Sequence, residues 1–167
     1  MIIVSDTTPI NHLILVGKIS ILPELLGKVI IPSAVFQELQ VAKTPKIVRE
    51  FIGNLPKWLE IRQPQFLFDE DLNELDAGER EAIILAEELK ADVLLMDERS
   101  GREAALKRNL PVVGTLGILE RAAENGLLDF TETIQDLKAN GFFIASALER
   151  DFLKRDSERK QSNNIKN

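Results

Sequence analysis

Carboxylates recur in this chain at the places where a folded α/β protein would collect them. Asp6 directly follows the β-branched run IIVS (residues 2 to 5), and Asp97 directly follows DVLLM (92 to 96). Glu38 lies one turn beyond Val35 in the helix expected after KVIIP, and Glu79 lies in the first turn of a helix expected over 77 to 90. Thr115 adds a hydroxyl just after PVVG (111 to 114). In an open parallel sheet, ligands gather at the carboxyl ends of the strands, so these side chains are expected along one sheet edge. Acids grouped in a partly dry pocket repel one another and rise in pKa unless a positive group intervenes. Oxygen-only donors suit Mg²⁺ or Mn²⁺. Such an ion neutralises charge on a phosphate and lowers the pKa of water, which points to phosphodiester cleavage, with a carboxylate left over as base.

Each residue also has a plainer reading. Asp6-Thr7-Thr8-Pro9 has the form of a helix N-cap, and Asp97 has the same alternative. Asp76-Ala77-Gly78-Glu79 is spaced as a capping box, in which Glu79 folds back on the Asp76 amide. Against that, Glu79 extends the apolar stripe of Ala82, Ile83, Ala86 and Leu89 and so faces inward. Glu81 lies on the side of Ile84, Leu85 and Glu88, as a solvated or supporting group. Glu38 alone would be an ordinary surface acid, and His12, inside an apolar helix, reads as a core-edge histidine. Arg99, Arg102, Lys107 and Arg108 form a basic strip that is either a solvated helix face or, at Arg99 and Arg102, a contact for substrate phosphate.

The elements that must position these groups alternate along the chain. Strands are expected at 2–5, 28–32, in WLEIR, at 92–96 and at 111–114. Helices are expected at 9–16, 20–26, 33–42, 44–55, 77–90, 98–108, 115–125 and 129–139, with 63–75 a loop containing some helix. Strands alternating with helices imply a parallel sheet with right-handed crossovers. Residues 1–153 read as one domain and 154–167 as a disordered, weakly basic tail.

Composition narrows the chemistry. At 44% hydrophobic and 29% charged the chain is globular. Cysteine is absent, which excludes thiolate metal sites and a cysteine nucleophile. With 21 basic against 27 acidic residues the net charge is -6, which argues against a protein that coats nucleic acid but leaves room for a local basic groove. No long apolar span or signal sequence is evident, so the chain reads as soluble and cytoplasmic. A receiver or haloacid-dehalogenase site is not supported: no Asp stands two residues after Asp6, and no Lys follows PVVG. The G-x-G-x-x-G dinucleotide loop is missing too.

With V-S-D-T-T, V-F-Q-E-L, G-E-R-E-A-I and L-L-M-D-E-R in this order, the chain resembles the PIN domain over about residues 1 to 130. Within that superfamily it is most similar to bacterial and archaeal PIN-like proteins, here through Asp6-Thr7-Thr8-Pro9, Leu75 to Ile83, and Val112 to Gly117. The resemblance implies a three-layer, Rossmann-like α/β fold with a central parallel sheet of four to five strands flanked by helices. It further implies a Mg²⁺ or Mn²⁺ site in which Asp6, Glu38, Glu79 and Asp97 are both catalytic and metal-ligating, with Thr8, Glu81 and Thr115 supporting. The implied activity is a ribonuclease, as in the VapC-like toxins of toxin–antitoxin pairs, with RNA as substrate, an antitoxin protein as partner and a homodimer as assembly. In those toxins the third acid is an Asp that opens an alanine-rich helix, whereas here the match is divided between Glu79 and Glu81. A non-catalytic PIN-like RNA- or protein-binding module with a weak metal site is the alternative.

Overall fold

The β-branched runs pair into one five-stranded, wholly parallel sheet in the computed structural model, which describes residues 1–167. The strands are β1 (Ile3–Ser5), β2 (Val29–Pro32), β3 (Leu59–Arg62), β4 (Val93–Leu95) and β5 (Val112–Val113), in the order β3-β2-β1-β4-β5. The helices are α1 (Thr7–Leu15), α2 (Ile21–Leu26), α3 (Ser33–Glu38), α4 (Lys46–Gly53), α5 (Ala77–Leu89), α6 (Arg99–Lys107), α7 (Thr115–Glu124), α8 (Phe130–Ala139) and α9 (Ser146–Ile165). A short 3-10 turn, Glu70–Leu72, interrupts the long loop before α5. The expected α/β class, with its parallel sheet flanked by helices, is therefore the observed one.

β1 and β2 are buried along their whole lengths, which is why they are continuous β-branched runs and not alternating ones. Val4, Ile30 and Leu94 pack against Ala82, Ile83, Leu85 and Ala86 of α5. Ile83 is fully buried, and burial of such a side chain contributes about 2 kcal/mol. No helix is long and apolar enough to cross a membrane.

The chain forms two compact units, Met1–Thr115, which holds the entire sheet, and Leu116–Asn167, which is helical. The expectation of a disordered tail from residue 154 is corrected here: α9 continues through Ile165. Its lack of an apolar stripe hid it, because polar contacts hold it. Asp156 is only 4% exposed and accepts from the Thr131 hydroxyl at 3.2 Å, from Arg159, and from Lys160 at 3.0 Å. Arg155 pairs with Glu120 at 2.6 Å and lies over the Phe152 ring, which stacks on Phe130. Helix α3 also ends earlier than expected, at Glu38. The Thr44 hydroxyl takes the Glu38 carbonyl at 3.1 Å, satisfying a group that a longer helix would have bonded internally.

If Asp156 organises α9, Asp156→Ala should lower stability by about 1–3 kcal/mol in urea denaturation and speed amide exchange in residues 146–160. Unchanged exchange there would mean that the ion pairs do not hold the helix.

Candidate metal centre

In this strand order the chain runs outward from β1 through β2 to β3, then returns to the other side of β1 to lay down β4 and β5. Such a reversal opens a crevice at the carboxyl ends of the strands on either side of it, here β1 and β4. Asp6 leaves β1 at that point, its amide donating to the Leu95 carbonyl at 2.9 Å. The residue is 2% exposed. It stands at the N-cap position of α1, yet its carboxylate makes no capping bond, and its Oδ1 is buried with no hydrogen-bond partner. A helix cap does not account for this side chain.

Two further carboxylates come to it. Glu38, the last residue of α3, accepts from the Gly78 amide at 2.9 Å through Oε1 and from the Thr7 hydroxyl through Oε2. A Cβ on Gly78 would meet the Glu38 carboxylate, so a larger residue there would displace it. Asp76 caps α5, with its Oδ1 accepting from the Glu79 amide at 2.8 Å. One ligand oxygen each from Asp6, Glu38 and Asp76 fall within 4.8 Å of one another.

The other residues singled out from sequence take varied positions. Glu79 completes the capping box, accepting from the Asp76 amide at 3.3 Å, and is also buried. Both readings of Glu79 thus describe the same side chain. Glu81 accepts from the Ala34 amide at 2.9 Å, at the start of α3. Asp97 spends both oxygens on Thr115, accepting from its amide at 2.7 Å and its hydroxyl at 2.6 Å. Thr8 is partly buried, and it is the neighbouring Thr7 that reaches Glu38. Arg99 is 92% exposed and paired with Glu103 at 2.9 Å, while Arg102 is tucked in, donating to the Met96 carbonyl at 2.9 Å. His12 is half-buried, and burial lowers its pKa against the opposing pull of Asp97 and Glu98.

Asp76 was not among the candidate ligands in the sequence, where it served only as the cap partner of Glu79. The signal that could have found it is its place as the acid that opens α5.

Burial pushes the Asp6 carboxyl up to about 8; the Thr7 backbone N–H opposes the rise, and the charges of Asp76, Glu79 and Glu38 reinforce it. Glu79 is raised too, first by burial and then by Asp76. A group of oxygen donors around a buried acid that resists ionising and has an unpaired oxygen fits a hard divalent cation.

A family model described as PIN domain, DUF3368, matches residues 2–158. No curated protein matches the chain.

The electrostatics give a signed expectation for the metal-free protein. Because the folded state holds the Asp6 proton more tightly than the unfolded chain, its contribution is complete below pH 4, falls as pH rises, and is lost above about 8. The slope is at most about 1.4 kcal/mol per pH unit. Melting temperature without metal should therefore fall between pH 5 and 8, and Asp6→Asn, which stays neutral, should flatten that fall. A wild-type profile that stays flat over this range would refute the raised pKa.

Proposed function

The chain belongs to the PIN-domain family, and from that premise we propose that it is a divalent-metal-dependent ribonuclease, the toxin of a toxin–antitoxin pair. PIN domains are generally nucleases and use divalent metals. The observation that carries the proposal is the buried, unpaired Oδ1 of Asp6 beside the converging oxygens of Glu38 and Asp76.

In this reading Asp6, Glu38 and Asp76 hold the ion, which replaces Glu79 and Asp97 of the sequence-based set by Asp76. A bound Mg²⁺ or Mn²⁺ supplies Lewis acidity and positive charge for phosphodiester hydrolysis. The Thr7 hydroxyl and Gly78 amide orient Glu38, and the Glu79 amide orients Asp76. Glu79 lies beside the centre and holds Asp76 by its amide, while Asp97 is locked on Thr115. Arg102, fixed on the Met96 carbonyl beside the end of β4, is better placed than the exposed Arg99 to meet a substrate phosphate. RNA is the substrate class that the family resemblance implies.

Three results are expected. Mn²⁺ raises the melting temperature of the wild type and leaves that of Asp6→Asn unchanged. Purified protein cleaves RNA only with metal present. Asp6→Asn and Asp76→Asn each lose about a hundredfold or more in rate. Metal binding without cleavage would instead establish the non-catalytic binding module. No metal-dependent shift at all would sink the metal centre.

A further inference from the structure

We infer that Glu81 is a positioning residue for the metal centre, because α3 and α5 each bring a glutamate to an amide at the start of the other; the inference rests on Asp6, Glu38 and Asp76 being the metal-binding set. The exchange is reciprocal. Glu81 of α5 accepts from the amide of Ala34, the second residue of α3, at 2.9 Å. Glu38 of α3 accepts from the amide of Gly78, the second residue of α5, also at 2.9 Å. Each helix start is satisfied by an acid that the other helix brings.

The dependence is unequal. Helix α5 has a capping box of its own at Asp76 and Glu79. Helix α3 has none: Pro32 stands at its N-cap position without a side-chain capping bond, and Glu38 closes a helix of only six residues. Orphan amides at a helix start need an acceptor, and at Ala34, itself buried, Glu81 is the group that supplies it.

A helix this short carries a displacement of its first turn straight to its last residue. The Thr44 hydroxyl holds Glu38 only by its carbonyl, so the carboxylate depends on how α3 sits against α5. Tolerance there is small, since the Glu38 carboxylate lies where a Cβ on Gly78 would stand and must still meet the Thr7 hydroxyl. Glu81 therefore sets the height of Glu38 over Asp6 without touching the ion, and the closeness of Glu81 to Glu79 in sequence reflects a division of labour along α5. Glu79 anchors Asp76, and Glu81 anchors the helix that carries Glu38.

The test compares Glu81→Ala with Glu81→Gln, which keeps an oxygen acceptor. In the folded Glu81→Ala protein without metal, the Gly78 amide should exchange with solvent about tenfold faster, while β1 amides keep their wild-type rates, a pattern that global destabilisation does not produce. Mn²⁺ affinity, measured by calorimetry, should weaken about 10- to 100-fold in Glu81→Ala and stay within about threefold of wild type in Glu81→Gln. Wild-type Gly78 exchange and wild-type Mn²⁺ affinity in Glu81→Ala would overturn the inference, as would a Glu81→Gln protein as impaired as Glu81→Ala. If Glu81→Ala does not fold, Glu81→Asp withdraws the acceptor by one methylene and is read against the same two outcomes. If the wild type itself binds no Mn²⁺, the metal-centre reading fails, and Gly78 exchange still decides whether Glu81 seats α3.

Discussion

Asp6 leaves the central strand of the sheet with its carboxylate in a space from which water is excluded, and one of its oxygens finds no donor there. Ionising such a group is costly, and the acids of α3 and α5 raise that cost further. Nothing in the packing of the core requires an acid at this position. The proposed cation would complete the arrangement, supplying the positive partner that the buried oxygen lacks. The strand order sets the location, because the reversal beside β1 is where an open parallel sheet leaves its crevice.

Around Asp6 the same backbone groups do structural and functional work together. Asp76 caps α5 with one oxygen and still has lone pairs available, since an ionised carboxylate accepts at about four sites. Glu38 is held by a backbone amide and a hydroxyl. Asp97 is fixed by both donors of Thr115. The acids are thus pre-oriented by bonds that exist without an ion, so a ligand set is not assembled from mobile side chains. Such preorganisation lowers the ordering cost of binding. The net negative charge of the chain means that, on the proposed reading, a polyanion would be held by the ion and by local cations.

Much of this was legible in the sequence. The β-branched runs marked the strands, the residues just after them marked the sheet edge, and apolar spacing marked α5 and its inward face. The ordered motifs carried the family. Less legible was which acid of Asp76, Glu79 and Glu81 turns toward Asp6. All three lie within two turns of one helix start, and helical spacing separates faces, not the individual oxygens of neighbouring acids. A capping box explained Asp76 so completely in sequence that its remaining oxygen went unconsidered. The reading of residues 154–167 failed for a related reason: α9 is held by Asp156 reaching Thr131 and by Arg155 reaching Glu120, pairs that a low apolar content conceals.

The sequence by itself determined the class of fold, the placing of Asp6 and Asp97 at strand ends, and the oxygen-only character of any metal site. Those follow from local rules of side-chain size, backbone preference and donor chemistry. Tertiary structure alone decided that Asp6 would be left without a hydrogen bond, that Asp76 would join Glu38 beside it, and that Glu81 would turn away to the start of α3. Each of these depends on how the helices pack on the sheet, as where the Glu38 carboxylate lies against Gly78, which no local pattern encodes.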